Sequence, residues 1–351
     1  MMTKKDIIAF LNCRDKKEID SFFNQAYKIK LDNVGNKVYL RGIIELSNIC
    51  TKDCFYCGIR KSNNKVNRFC MSEKDIIESA LFSHNNRHGS VVLQSGERCD
   101  IEFIDFIEKI IKTIKKETNG KLGITLSLGE QAKDTYKRWF DAGAHRYLLR
   151  IETSDESFYK RLHPEDHDYK NRLNCLKWLK EIGYQTGTGV MIGLPGQSYE
   201  SLAADIYFFK DNDIDMIGMG PYVLHENTPL ASRNIFNPDR NFELGLKMIA
   251  LTRVNIKDIN IAATTALQTL NPDGYRLGLK AGANIVMPNI TPLKYRKDYQ
   301  LYEGKAFLNE SSEGYIDFLA NQVKLIGEEI GYSEWGDSPH FYNKKTNNNL
   351  V

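Results

Sequence analysis

A chain of 351 residues with 42% hydrophobic composition is long for one ordinary domain, yet it lies in the range where a barrel folds as a single unit around one core. Its 48 basic and 45 acidic residues leave a net charge of +3, which argues against a nucleic-acid partner and against an anionic membrane surface. The cysteines number seven, odd and mostly isolated, so they make no disulfide framework and suit a reducing cytoplasm.

Residues 4–12 and 17–28 read as helices, with Asn33, Gly35 and Asn36 marking the turn out. Lys4 and Lys5 precede an apolar run, but Asp6 interrupts it and no small-residue cleavage site follows, so a short amphipathic helix is expected rather than a targeting segment. No stretch approaches the length of a membrane span. From residue 38 strand-like runs alternate with helical periodicity. The strands are expected at 38–46, 90–94, 122–128, 146–152, 185–192, 216–223, 260–266 and 284–288. The intervening amphipathic segments are 72–82, 101–116, 131–142, 170–182, 198–212, 240–254 and 275–281, with Ser72, Ser198 and Asp239 at starts and Gly183 and Gly282 at ends. Such pairing without a low-complexity linker predicts an α/β fold, a complete (β/α)8 TIM barrel. It would run over 37–292, behind an N-terminal helical cap at 1–36 and ahead of a closing segment at 293–351. That segment should hold a last helix near 314–330 and a polar tail, 343–351, that reads as disordered.

Catalytic groups of a parallel barrel come from the C-terminal ends of its strands, so those ends carry the functional reading. The first leads into Cys50-Thr-Lys-Asp-Cys54-Phe-Tyr-Cys57. Three thiolates on this spacing wrap one face of an iron–sulfur cube and leave the fourth iron open to a small molecule. A structural zinc site is the alternative, but it would take four ligands and no fourth is nearby. Cys13, Cys70, Cys99 and Cys175 read as small buried hydrophobes. The second strand ends Gln94-Ser95-Gly96-Glu97, a turn whose backbone can approach a ligand. Alternation aims Thr125 and Ser127 to one side of the third strand, and Glu152 at the end of the fourth is hard to explain as packing. Glycines crowd 187–197, where a flat ring could lie against backbone. Arginines of the fourth strand, Thr264 and Thr265 after the seventh, and Tyr299 and Tyr302 beyond the eighth predict a polar cavity with fixed positive charge, suited to a small anion. The tyrosines could instead form an aromatic lid that merely closes the barrel top.

The C-x3-C-x2-C loop, with aromatic Tyr56 before its last cysteine, resembles the signature of radical S-adenosylmethionine (radical SAM) enzymes. The resemblance implies one 4Fe–4S cluster on Cys50, Cys54 and Cys57, with S-adenosylmethionine chelating the open iron and cleaved reductively to a 5′-deoxyadenosyl radical. It also implies a cofactor-binding set. Gln94, Gly96 and Glu97 resemble the GGE motif that holds the methionine amino group, with Ser95 in place of its first glycine; Glu152 would contact the cofactor and Arg172 would pair with its carboxylate. Tyr56, Ser127 and Met191 complete the set, and the adenine would lie along 187–197.

The blocks 41–48, 92–97, 126–130, 146–152, 193–197, 263–266 and 288–292, in that order, are similar to the FeFe-hydrogenase maturase family HydE. That likeness implies a small organometallic substrate, an iron–carbonyl–cyanide–cysteine complex delivered from the partner maturase HydG, whose sulfur the adenosyl radical attacks on the way to the di-iron subcluster. It further implies HydF as maturation scaffold and a ferredoxin or flavodoxin as electron donor. Arg41, Thr125, Arg146, Arg150, Thr264, Thr265, Tyr299 and Tyr302 are the expected substrate residues. Two departures stand out. No cysteine follows Cys175, so no second cluster is expected, and Ile151 stands where other members have histidine. The alternatives are a biotin synthase-like or methylornithine synthase-like enzyme acting on a small carbon substrate and, from another class, a zinc or RNA-binding non-enzyme. The balanced charge and the lack of a basic, aromatic-interleaved stretch weigh against RNA.

Overall fold

The computed structural model describes residues 1–233 and 235–348, the last four of these by backbone alone. Its centre is a closed ring of parallel strands: β1 (Lys37–Ser47), β2 (Ser90–Ser95), β3 (Gly123–Ser127), β4 (Arg146–Leu148), β5 (Gln185–Thr188), β6 (Met216–Ile217), β7 (Asn260–Ala263) and β8 (Ile285–Val286). Each pairs with the next in sequence, and β8 returns to β1 through Tyr39↔Ile285 and Leu40↔Val286, which closes the barrel. The (β/α)8 expectation is therefore met. The strands are apolar on both faces because one side packs on the barrel interior and the other on the helix ring; Val91, Val92 and Leu93 are all buried. The N-terminal helices Lys4–Asn12 and Lys16–Val34 lie on the outer helices Tyr199–Asp211 and Pro238–Asn255, with Ile7, Phe10 and Leu11 in the same apolar cluster as Ile206 and Phe209.

Several boundaries differ from expectation. The sixth strand stops at Ile217, and Gly220–Pro221 pairs separately with Met191–Ile192. The seventh ends at Ala263, and Thr264 becomes the N-cap of a helix, Thr265–Leu270. The cap of Pro238–Asn255 is Asn237, which accepts the Arg240 amide ahead of a proline at the first helical position, rather than Asp239. The expected 314–330 helix is two elements: Ser312–Leu325 ends at the left-handed Gly327, and Glu329–Ile330 then adds a short strand parallel to the start of β1. The segment expected to be disordered is helical from Pro339 to Asn348, while 349–351 lie outside the described residues.

Residues 335–338 close the N-terminal end of the barrel. Trp335 O accepts from Arg146 Nη1 (3.0 Å), Gly336 O accepts from Arg41 Nη2 and Asn260 Nδ2 (both 2.9 Å), and Asp337 pairs with Arg146 (2.5 Å). Thr125 Oγ1 accepts from Arg146 Nε at 2.9 Å. Arg41, Thr125 and Arg146, expected at a substrate cavity, therefore belong to the barrel floor. The reason is register: Arg146 opens β4 opposite Thr125 and Gln185, and Arg41 stands opposite Ser90, the first residue of β2. Leu148, Gly218 and Met287 separate this floor from the open end.

Candidate functional site

The loop that leaves β1 is shaped by two side chains. Arg68 gathers the carbonyls of Asn48 (2.6 Å), Ile59 (2.8 Å), Arg60 (2.6 Å) and Asn63 (3.1 Å), and Asp53 accepts from Ser62 N (2.9 Å) and Arg60 Nη2 (2.6 Å). Folded back in this way, the loop presents Cys50, Cys54 and Cys57 to the open end of the barrel. The turn after β2 lies against it. A Cβ on Gly96 would sit 2.3 Å from Ile49 O and 2.8 Å from Cys50 Cβ, so only glycine lets the two turns touch. The contact aims the Glu97 amide at Cys50 Sγ (3.3 Å), which also accepts from Lys52 N (3.4 Å).

The three thiols suit an iron–sulfur cluster better than one ion. Their sulfurs do not all lie within 4.8 Å of one another; among the described residues the group that does is Cys54 with His163 and His167. That trio is already committed. His163 Nδ1 donates to Tyr159 O (2.9 Å) and its Nε2 accepts from Tyr56 OH (3.0 Å), while His167 Nε2 accepts the Asp53 amide (3.3 Å). Burial holds both imidazoles neutral, His163 at about 3 and His167 at about 4. Burial also raises all three thiols, Cys54 to about 12, so as thiolates they need a strong positive charge such as iron beside them.

Around the thiols runs a ladder of alternating charge. Lys52 lies between Glu97 (3.3 Å) and Glu130 (3.1 Å), Glu130 accepts from Arg172 Nε (2.5 Å) and Asn171 Nδ2 (2.9 Å), and Arg150 pairs with Glu152 at 3.0 Å. Burial works to raise the Glu130 carboxyl, but Arg172 and Lys52 outweigh it and hold it at about 2. Burial does raise Glu97 and Glu152. Glu152 adopts φ 64°, a left-handed conformation that a non-glycine residue keeps only when its surroundings enforce it. Lys52 and Glu130 were not singled out from the sequence, because their partners are 78 and 45 positions apart along the chain and only the fold joins them. The expected Arg172 does reach this site, although here its Nε serves Glu130.

The thiols, Lys52, Glu97, Arg150, Glu152 and Arg172 line one cavity of about 310 Å³, a volume ordinary for a small-molecule site. The structure brings together Cys50, Cys54, Cys57, Tyr56, Gln94, Gly96, Glu97, Ser127, Glu152, Arg172 and Met191 on its walls, with Arg150, Thr264, Thr265, Tyr299 and Tyr302. Among the described residues, Arg150 Nε and Thr264 Oγ1 are buried without a hydrogen-bond partner. Gln94 donates to Tyr299 OH (3.3 Å), and Tyr275 OH donates to Thr265 Oγ1 (3.1 Å). A buried pair missed from the sequence, Glu45 with Lys305, ties the tyrosine-rich segment to β1, and Asn289 donates to the same carboxylate (2.9 Å). Of the glycines in the stretch expected to hold an adenine, Gly187 packs on Leu148 and Met216, Gly189 on the Gly218 carbonyl and Gly193 on Asn241, while Gly196 is left open.

Residues 44–208 match the Radical SAM superfamily. The chain is 44% identical over 303 residues to the [FeFe] hydrogenase maturase subunit HydE of Thermotoga maritima, covering 86% of this chain and 84% of that protein. The chain belongs to the HydE family of radical SAM enzymes. It is more distantly similar to 3-methylornithine synthase of Methanosarcina acetivorans, 30% identical over 72% of this chain and 69% of that one. The crystal structure of methylornithine synthase (PylB) shares the fold with a TM-score of 0.80, at 24% identity and 95% coverage of both chains. Membership of this family implies S-adenosylmethionine and an iron–sulfur cluster. The donor set fits them: three thiols too far apart for one ion, backbone N–H groups on Cys50 Sγ, and a cavity beside the thiols of small-molecule size.

Proposed function

We propose that this HydE-family enzyme serves FeFe-hydrogenase maturation in the cytoplasm, using one 4Fe–4S cluster and S-adenosylmethionine to transform a small anionic iron complex. Cys50, Cys54 and Cys57 would hold the cluster. When bound, cluster and cofactor supply one chemistry, reductive cleavage of the sulfonium to a 5′-deoxyadenosyl radical. The chain supplies position and exclusion. Gln94, Gly96, Glu97, Ser127, Glu152 and Met191 would bind the cofactor beside the thiols, with Tyr56 over the loop. Arg172, held through Nε by Glu130 and through Nη1 by the Arg150 carbonyl (2.8 Å), would offer Nη2 to a carboxylate.

The observation that carries the substrate reading is the pair of orphaned polar atoms, Arg150 Nε and Thr264 Oγ1. A buried donor without a partner costs roughly 1–3 kcal/mol, so a ligand that satisfies it gains correspondingly. An arginine and hydroxyls favour an anion with several acceptors, such as an iron–carbonyl–cyanide complex bearing cysteine, over a neutral carbon skeleton. Thr265, Tyr299 and Tyr302 extend the same wall. HydG as supplier of that complex, HydF as its acceptor and a ferredoxin or flavodoxin as reductant complete the proposal. The test is maturation of apo-hydrogenase by purified components with and without this protein. Activity that depends on it supports the reading; equal activity without it, or turnover of a free amino acid in place of maturation, would overturn it.

A further inference from the structure

The His163-Pro-Glu-Asp-His167 run was passed over in the sequence, yet both imidazoles end beside the cysteine loop. His167 is buried, its ring 5.4 Å from that of His163, and the turn is closed by the bond from His167 N to Pro164 O (3.1 Å). Its Nε2 accepts the Asp53 amide at 3.3 Å. An amide can only donate, so Nε2 is the unprotonated nitrogen and the ring proton sits on Nδ1. Nδ1 lies 3.9 Å from Cys54 Sγ. The amide is itself fixed, since the Asp53 carboxylate is held by Ser62 and Arg60 (2.6–2.9 Å). Asp166 places an exposed carboxylate 3.7 Å from Nε2, too far and too solvated to compete with the amide, and Lys52, Arg172 and Glu130 act on the ring through their charge.

We infer that His167 is a positioning residue that donates an Nδ1–H···S hydrogen bond to the Cys54 thiolate and thereby raises the reduction potential of the cluster. Hydrogen bonds to cluster sulfurs stabilise the form with the greater negative charge, and that is the reduced one. The step affected is uptake of one electron by the cluster from a reductant. No proton moves, because the imidazole already carries the Nδ1 hydrogen. The inference rests on the reading of Cys54 as a cluster ligand.

The test is an EPR-monitored redox titration of anaerobically reconstituted protein without S-adenosylmethionine, comparing wild type, His167→Leu and His167→Gln. Leucine should lower the potential by about 59 mV, a tenfold change in the one-electron equilibrium, and glutamine, which keeps an N–H donor, should restore much of it. An unchanged potential in a fully loaded leucine variant, or a drop that glutamine leaves uncorrected, overturns the inference. A wild type that shows no 4Fe–4S signal overturns the ligand reading, and this inference with it. Pulsed EPR on wild type carrying isotope-labelled histidine decides independently of whether the leucine variant loads: a coupling to imidazole nitrogen that is lost in His167→Gln supports the hydrogen bond, and its absence contradicts it.

Discussion

The two ends of the barrel hold arginines that face different surroundings. At the floor, Arg41 and Arg146 donate to the carbonyls of Trp335 and Gly336 and the carboxylate of Asp337, which leaves Arg41 Nε and Arg146 Nη2 buried without a partner among the described residues. At the open end, Arg150 and Arg172 are partly engaged by Glu152 and Glu130, and Arg150 Nε has no hydrogen-bond partner among the described residues. Arginines at both ends bond backbone and at both ends leave a donor without a partner, so the difference lies in what they face: the floor pair is covered by residues 335–338, whereas Arg150 and Arg172 line the cavity of the open end. The same residue type therefore makes structure at one end and a site at the other.

The sharpest break in this contrast comes from the thiols. Cys50→Ser, Cys54→Ser or Cys57→Ser should each abolish 5′-deoxyadenosine formation, because a cube held by two cysteines loses stability and control of its potential; iron content and product analysis check it. Next in size is the floor. Asp337→Asn leaves Arg146 without its charge partner and should cost about 3 kcal/mol of stability, read by denaturant titration, while activity per folded molecule is kept.

The open end should answer differently. Glu130→Gln takes the charge partner from Arg172 and Lys52 and should weaken S-adenosylmethionine binding by roughly tenfold, the worth of one charge-assisted hydrogen bond, on top of a stability loss of the size expected for Asp337→Asn, since this pair is buried too. The smallest effect is a pH dependence at the floor. His340 lies between Asp213 (2.8 Å) and Asp258 (2.9 Å), and these hydrogen bonds raise it to about 9. A raised folded value contributes stability that is complete below the unfolded value of ~6.5 and is lost as pH climbs through 9. Allowing for its partial exposure, about 1–2 kcal/mol should disappear between pH 6.5 and 9.5, and His340→Gln should flatten that slope in thermal melts.

Much of this was legible in the sequence because it is local. Three cysteines on one loop, the glycine turn at Gly96 and the alternation of strand and helix each declare themselves within a few residues, and the barrel and the cofactor wall followed from them. Register was not legible. Arg146 and Arg150 are four residues apart, yet one opens β4 and the other lies beyond its end, and nothing in the sequence says where a three-residue strand begins. Pairings such as Lys52 with Glu130, or Glu45 with Lys305, depend on loops that meet only after the ring has closed. The histidines escaped for the same reason, since His167 reaches Cys54 from 113 positions away.

The most direct test sets the two ends against each other in one assay. Arg150→Ala and Asp337→Asn would be assayed for 5′-deoxyadenosine formation without substrate and for apo-hydrogenase maturation, per folded molecule. Loss of a charged hydrogen bond should cut maturation by Arg150→Ala roughly tenfold or more while its uncoupled cofactor cleavage persists, and Asp337→Asn should leave the ratio of the two activities at the wild-type value. Full maturation by Arg150→Ala, or a changed ratio in Asp337→Asn, would contradict the assignment of substrate to the open end.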